Sequence, residues 1–308
     1  MEKRFSYGGQ AVIEGVLIRG RKSCTLVVRL PNGALHKETL HLPRISNERL
    51  RAIPLIRGVL TMAETLILGV RALTRSANLA LEDGDSSEEL SPWALRGMLA
   101  ASLTFGIFLF FLVPLLATRA VEGVFPTTFL LNLSEGLFRL AILLGYIWLI
   151  GQMADVRRVF SYHGAEHMAV HAFEHGDVLE PQSLRQYPTM HPRCGTGFLL
   201  VVVVLAMVVF TLLGNPPLWI SMLSRVVLVP VIASISYEFI RWAGAHSSKP
   251  LGKLLITPGL ALQRLTTRQP DLDQLDLAIA AMKGALIEDG VIPLELSSDH
   301  QATVGDNS

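Results

Sequence analysis

The sequence predicts a membrane α-helical fold, with about four transmembrane helices, a small N-terminal β element and cytoplasmic amphipathic helices. Three observations carry this. Of 308 residues, 50% are hydrophobic and only 17% charged, and the mean hydropathy is +0.43; soluble domains carry about 25% charged residues. Four apolar runs of bilayer length follow residue 96. Near the N-terminus, two alternating segments flank an Asn-Gly pair, a strong short-range hairpin signal. The balance of 27 Lys+Arg against 26 Asp+Glu excludes a nucleic-acid binder held by bulk charge. Two cysteines, Cys24 and Cys194, with no C-x-x-C exclude a disulfide scaffold or a zinc ribbon.

In chain order, residues 1–52 form the cytoplasmic β element. Within it, Tyr7–Gly20 is a Gly-punctuated apolar segment and 24–42 is a hairpin turning at Pro31-Asn32-Gly33. Residues 53–96 hold an amphipathic helix, Ile53–Leu73, and an acidic linker, 82–91. The helix carries Arg57, Glu64 and Arg71 seven apart on one stripe. Such a helix either lies at the membrane interface or packs its charged stripe against the spans. Two spans, Gly97–Thr118 and Gly136–Ala154, make up 97–154. A cytoplasmic His/Glu loop occupies 155–195. Two more spans follow in 196–242: a run from Gly197 that Asn215-Pro216-Pro217 stops, and Val226–Trp242. Residues 243–308 hold a cytoplasmic helix after Pro270, with Leu272, Leu275, Ile279, Met282 and Leu286 on one face, and a polar tail from Ser297. The first apolar run is not N-terminal and is broken by charges, so no signal peptide is expected.

Of the 27 Lys+Arg, 24 fall on one side of this arrangement; Arg119, Arg139 and Arg225 do not. The positive-inside rule then places both termini and the 155–195 loop in the cytoplasm, in a multi-pass inner-membrane protein whose cysteines are free thiols.

The chemistry concentrates in residues 162–176, YHGAEHMAVHAFEHG. His163-x-x-Glu166-His167 is an H-x-x-E-H motif, and His171-x-x-Glu174-His175 repeats it eight residues on. Histidines four apart share a helix face and can chelate one metal, and a neighbouring Glu can act as general base. The H-x-x-E-H order is the inverted zinc-peptidase motif. The competing reading is a solvated polar face on a juxtamembrane helix. A second cluster, His191-Pro192-Arg193-Cys194, opens the third span; it offers further ligands or a thiolate beside Arg193, against a plain structural turn. Glu238 and Arg241, three apart in the fourth span, supply either a distant carboxylate ligand or a mutual salt bridge.

Four segments, YGGQAVIEGVLIRG, YHGAEH, Glu174-His175-Gly176 and HPRCGT, resemble the YqhQ-like family of bacterial membrane proteins. That is a domain of unknown function described as predicted metal-dependent enzymes. The resemblance implies His163, Glu166, His167, Glu174, His175, His191, Arg193 and Cys194 as site residues, adds Gln10 and Glu14, and leaves His171 a bystander.

The expectation is an integral membrane, metal-dependent enzyme, a hydrolase with a cytoplasm-facing H-x-x-E-H site. His163 and His167 hold a divalent metal, zinc first and iron as the alternative. Glu174, Glu14 or Glu238 completes the ligand set, with His175, His191 and Cys194 as further metal candidates. Glu166 is the general base and Arg193 steadies an anionic group. The expected partners are the lipid bilayer and an unidentified substrate or protein, with no nucleic acid. The alternative is a non-enzymatic biogenesis or scaffold protein with a structural metal site.

Overall fold

The structure is a computed structural model that describes residues 5–42, 50, 52–81, 92–214, 216–247 and 249–293. The acidic linker 82–91, Asn215 and the tail from Ser297 lie outside the described residues.

The N-terminal region forms a four-stranded antiparallel meander: β1 (Gly8–Val12), β2 (Gly15–Arg19), β3 (Ser23–Arg29) and β4 (Leu35–His41). The β3–β4 hairpin turns at the expected place. Gly33 takes a φ of +84° there, and Asn32 Oδ1 accepts from the Ala34 N–H. The Gly-punctuated segment is also a hairpin, which its glycines concealed; Gly9 pairs with Ile18 and Ala11 with Val16. Its turn places Glu14 at φ +51°.

Helices cover both faces of the sheet. The residues Val16, Ile18 and Val27 point one way, and Leu17, Cys24 and Leu26 the other, as strand alternation requires. The second set meets Leu68, Ala72 and Leu79 of α1 (Ile56–Leu81). The first set meets α5 (Ala154–His175) and α9 (Leu272–Glu288) in the largest buried cluster. Asp271 caps α9 in a capping box with Gln274, and Leu275, Ile279, Met282 and Leu286 are buried as the period predicts. Leu272 is exposed. Asp289 then ties the two ends of the chain together by accepting from Tyr7 Oη and from the Arg21 and Lys22 N–H groups.

Among the described residues, four helices are long and apolar enough to cross a membrane: Arg96–Ala120, Thr128–Ile150, Gly195–Leu213 and Leu218–Ala245. The first comprises α2 (Pro92–Ile107), a π turn (Phe108–Leu112) and α3 (Val113–Ala120), with Pro114 in the opening turn of α3. The others are α4, α6 and α7 respectively. The second starts at Thr128, ahead of the expected Gly136, and ends at Ile150, short of the expected Ala154; the fourth runs past both ends of the expected Val226–Trp242. Each takes in polar residues near its start, with Asn132 and Glu135 in α4 and Ser221 and Arg225 in α7. Those groups find partners inside the bundle, so hydropathy alone clips them off. Outward faces are apolar, with Leu103, Phe129, Trp148, Leu212 and Val226 all exposed.

The charged stripe on α1 turns inward. Arg57 pairs with Glu238 of α7, Glu64 is buried beside Arg19, and Arg71 is exposed. Gly58 lies against Ser234, whose hydroxyl donates to the Leu55 carbonyl. The apolar side chains of Val59, Leu66 and Ile67 face outward. The helix α1 is therefore the strut between the α7 bundle and the sheet.

Helix α8 (Pro250–Thr266) crosses α6 where Gly197 meets Gly259 and delivers residues 266–268 onto α5. At Gly164 the Arg268 carbonyl occupies the space a Cβ would need, and Thr189 Cγ2 would lie at 3.2 Å from it. Replacing Gly164 with Ala should therefore destabilise the protein by about 1–3 kcal/mol through overpacking. Gly145→Ala, at a position with open space around it, should be neutral or stabilising. Thermal unfolding of the detergent-purified protein compares the two.

Candidate metal centre

The helix α5 carries all four motif histidines and ends at Gly176, which adopts φ +80° as a left-handed C-cap. Two other segments reach its His163/His167 face. One is the 189–194 loop; the buried Gln263 amide clasps its His191 backbone, accepting from the N–H at 2.7 Å and donating to the carbonyl at 2.9 Å. The other is the end of α8.

Each segment fixes one imidazole. His163 Nδ1 lies 2.9 Å from the Thr266 carbonyl, and His167 Nδ1 lies 2.6 Å from the Thr189 carbonyl. A carbonyl only accepts, so both Nδ1 atoms carry the proton and both Nε2 lone pairs are free in the neutral rings. His163 Nε2 is 3.2 Å from Cys194 Sγ. His167 also hydrogen-bonds Cys194, and the two rings are 4.4 Å apart. One ligand atom from each of His163, His167 and Cys194 lies within 4.8 Å of the others. Cys194 is the N-cap of α6, and its sulfur accepts from the Thr196 N–H.

This donor set fits a borderline-soft divalent ion. Two neutral imidazoles and a thiolate are zinc ligands with bonds of about 2.0–2.3 Å. The carbonyl on each Nδ1 is the outer hydrogen bond that orients a metal-ligating histidine. Burial holds His167 below the usual histidine range, so the ring stays neutral and able to coordinate. The third donor is a thiol, where a carboxylate was expected.

Around these three stand other expected residues. Glu166 is 3% exposed, with its carboxylate 3.5 Å from His167 Nε2. Burial pushes its carboxyl above the ordinary range, opposed by His163, His191, the Gly9 backbone N–H and Arg193. His191 is buried; its ring centroid is 5.7 Å from that of His167, and its Nε2 is 3.4 Å from Glu174. Arg193 pairs with Glu174, so neither is aimed at the three donors. Their charges satisfy each other and His191 along one rim.

Four residues sit elsewhere, for identifiable reasons. Gln10 alternates to the opposite face of β1 and reaches the Thr65 carbonyl of α1. Glu14 is held by Arg158 and Tyr162 Oη, two turns and one turn from Glu166 along α5. Glu238 is taken by Arg57, and not by the Arg241 of the expected mutual pair. His175 is exposed, with Nδ1 donating to the His171 carbonyl. His171 forms part of the wall: its Nε2 donates to the Met190 carbonyl, and its ring stacks on Tyr187 and meets His191 edge-on.

Five positions escaped the sequence reading. The residues Thr189, Thr266 and Gln263 act through backbone or amide groups that leave no spacing pattern. Gly164 and Gly9 stand within the quoted motifs; a Cβ on Gly9 would lie 3.1 Å from Glu166 Cγ. The glycines in YGGQ and YHGAEH were the available signal, because both mark close backbone approach.

Burial lowers the His171 pKa to about 4, from about 6.5 in an unfolded chain. Between these values the unfolded state binds the proton and the folded state does not, so stability falls as the pH drops from 6.5 through 4. His171→Asn keeps a donor for Met190 and cannot titrate. With chelator present throughout, unfolding midpoints should drop less for this variant than for the wild type across that window.

Comparison with known proteins agrees with the motif resemblance. A family profile described as "Protein of unknown function (DUF1385)" matches residues 53–288. The "Uncharacterized protein YqhQ" of Bacillus subtilis (strain 168) is 32% identical over 295 residues, covering 91% of this chain and 92% of that protein. No solved structure matches. With a family match over residues 53–288 and a relative 32% identical over most of both chains, the chain belongs to the DUF1385 family, a YqhQ-like family of unknown function.

Proposed function

We propose that the protein is an integral membrane, metal-dependent enzyme, a hydrolase whose metal is held by His163, His167 and Cys194. The observation that carries this is the pair of backbone carbonyls fixing both Nδ1 protons while one ligand atom of each of His163, His167 and Cys194 lies within 4.8 Å of the others. A bound divalent metal supplies Lewis acidity and acidifies water. The chain does the rest. Glu166 holds and moves the proton beside His167. The Gly9 N–H and the buried surroundings keep the Glu166 carboxyl in place and away from bulk water. The Arg193–Glu174–His191 chain lines the rim and orients an anionic substrate group. Three donors, where a closed structural site uses four, favour this over the scaffold alternative.

The membrane reading rests on the four apolar helices and their apolar outward faces. We place the protein in the inner membrane with both termini and the metal centre cytoplasmic, on the 24-to-3 division of Lys+Arg. The helix α1 then lies along the cytoplasmic surface, with Val59, Leu66 and Ile67 toward lipid.

Two measurements test this. Glu166→Gln should retain metal near the wild-type level and lose about 100-fold or more of activity, read as complementation of a null mutant. His167→Ala should lose the metal as well. A Glu166→Gln protein that keeps its metal and complements fully would leave only the scaffold reading. For topology, a single cysteine at Val124 should be labelled from outside intact cells, and one at Lys37 or Gln182 only after permeabilisation. Val124 serves because it is exposed between α3 and α4, whereas Asn132 sits inside α4, bonded to the Gly214 carbonyl. External labelling at Gln182 would overturn the orientation.

A further inference from the structure

The helix α6 has the metal centre at its N-terminus and a second polar site at its C-terminus, 19 residues away, or about 28 Å. There the bundle buries three charged side chains. Glu135 of α4 is 6% exposed, Arg139 of α4 is 3% exposed, and the Arg225 side chain of α7 is 11% exposed. Both guanidinium groups donate to the same oxygen, Glu135 Oε1, each at 2.6 Å. Two cations thus share one carboxylate, and one positive charge is left uncompensated within the trio.

The remaining guanidinium donors divide unevenly. Arg139 Nε is satisfied by the Phe110 carbonyl at 3.0 Å. Arg225 Nη1 donates to the Ser221 carbonyl at 2.7 Å, but its Nε is buried without a hydrogen-bond partner among the described residues. Arg225 borders a small, partly open cleft whose walls include Thr118, Arg119, Asn132, Glu135 and Ser221. At its edge Arg119 donates to the Pro216 carbonyl at 2.6 Å and pairs with Glu122 at 3.3 Å. Buried charges are ordinarily paired, and guanidinium groups converging on one space are the usual means of holding a phosphate.

We propose that this cleft binds the phosphate group of an anionic molecule, held between Arg225 and Arg119 and supplying the charge that Glu135 cannot. The group comes from a lipid headgroup or from a free phosphate, and the two sources share this chemistry. The site is independent of the metal centre and does not rest on the function proposed for it.

The test uses the full-length protein in detergent. Unfolding midpoints are followed in a titration with sodium phosphate against sodium chloride at matched ionic strength. In parallel, native mass spectrometry scores retention of added phosphatidylglycerol against diacylglycerol. A saturable rise specific to phosphate identifies a free phosphate. Selective retention of phosphatidylglycerol without that rise identifies the lipid headgroup. In either case Arg225→Gln should weaken binding at least tenfold, because it leaves Glu135 and Arg139 balanced. Glu135→Gln should tighten it, because it frees a second positive charge. These opposite directions separate binding from a general loss of fold. If Glu135→Gln does not fold, Arg119→Gln takes its place and should weaken binding at least fivefold. Equal stabilisation by chloride, retention of neither lipid over the other with no phosphate effect, or Arg225→Gln binding like the wild type would each overturn the proposal.

Discussion

The passage of residues 266–268 across Gly164 is the contact on which the candidate metal centre depends. A side chain there would push the Arg268 backbone and Thr189 away from α5. Those two segments carry the carbonyls that accept from His163 and His167. Without them each imidazole could rotate or take the other tautomer, and the Nε2 atoms would no longer converge on Cys194. One missing Cβ therefore sets the protonation pattern of two rings. The Gln263 amide completes the arrangement by fixing the His191 backbone, and so the loop that ends in Cys194.

That contact needs three parts of the chain to be rigid together. The sheet and α9 bury α5 on its apolar side, through Tyr162, Ala165, Met168 and Ala169. Helix α8 must then arrive at a defined height, which its close crossing with α6 at Gly197 and Gly259 provides. Helix α1 joins the sheet to α7 through Arg57, Glu238 and Ser234. Partly buried ion pairs contribute modestly to stability, because desolvation offsets much of the attraction. Their value here is geometric: the strut holds its register, and with it the sheet that covers Glu166.

Much of this was legible in the sequence where physics leaves a period or a composition. The four apolar runs, the Asn-Gly hairpin and the α9 face each follow from a repeat set by backbone geometry. The α4 and α7 ends were not legible, because Asn132, Glu135 and Arg225 look like water-facing residues until their partners on other helices are known. The site was legible in part. His163, Glu166, His167, His191 and Cys194 come together as residue type and motif suggested. The placements of Glu14, Gln10 and Glu238 were not, since a carboxylate or amide goes to whichever partner the fold presents, and strand alternation turned Gln10 to the far face. The carbonyls of Thr189 and Thr266 had no sequence signature, as every residue has one.

The replacement of an expected carboxylate by Cys194 changes the chemistry of the proposed centre. Hard carboxylate and water ligands suit magnesium, calcium or manganese, whereas a thiolate with two imidazoles selects a softer ion. The Cys194 sulfur stands at the N-terminus of α6 and accepts from the Thr196 N–H. Glu166 sits next to His167 in the chain, and its side chain leaves α5 about 100° away from that of His167, toward the Gly9 backbone. It can therefore touch the centre without being one of the three donors. Assigning the metal to His163, His167 and Cys194, and proton movement to Glu166, gives each group the role its hydrogen bonds already support.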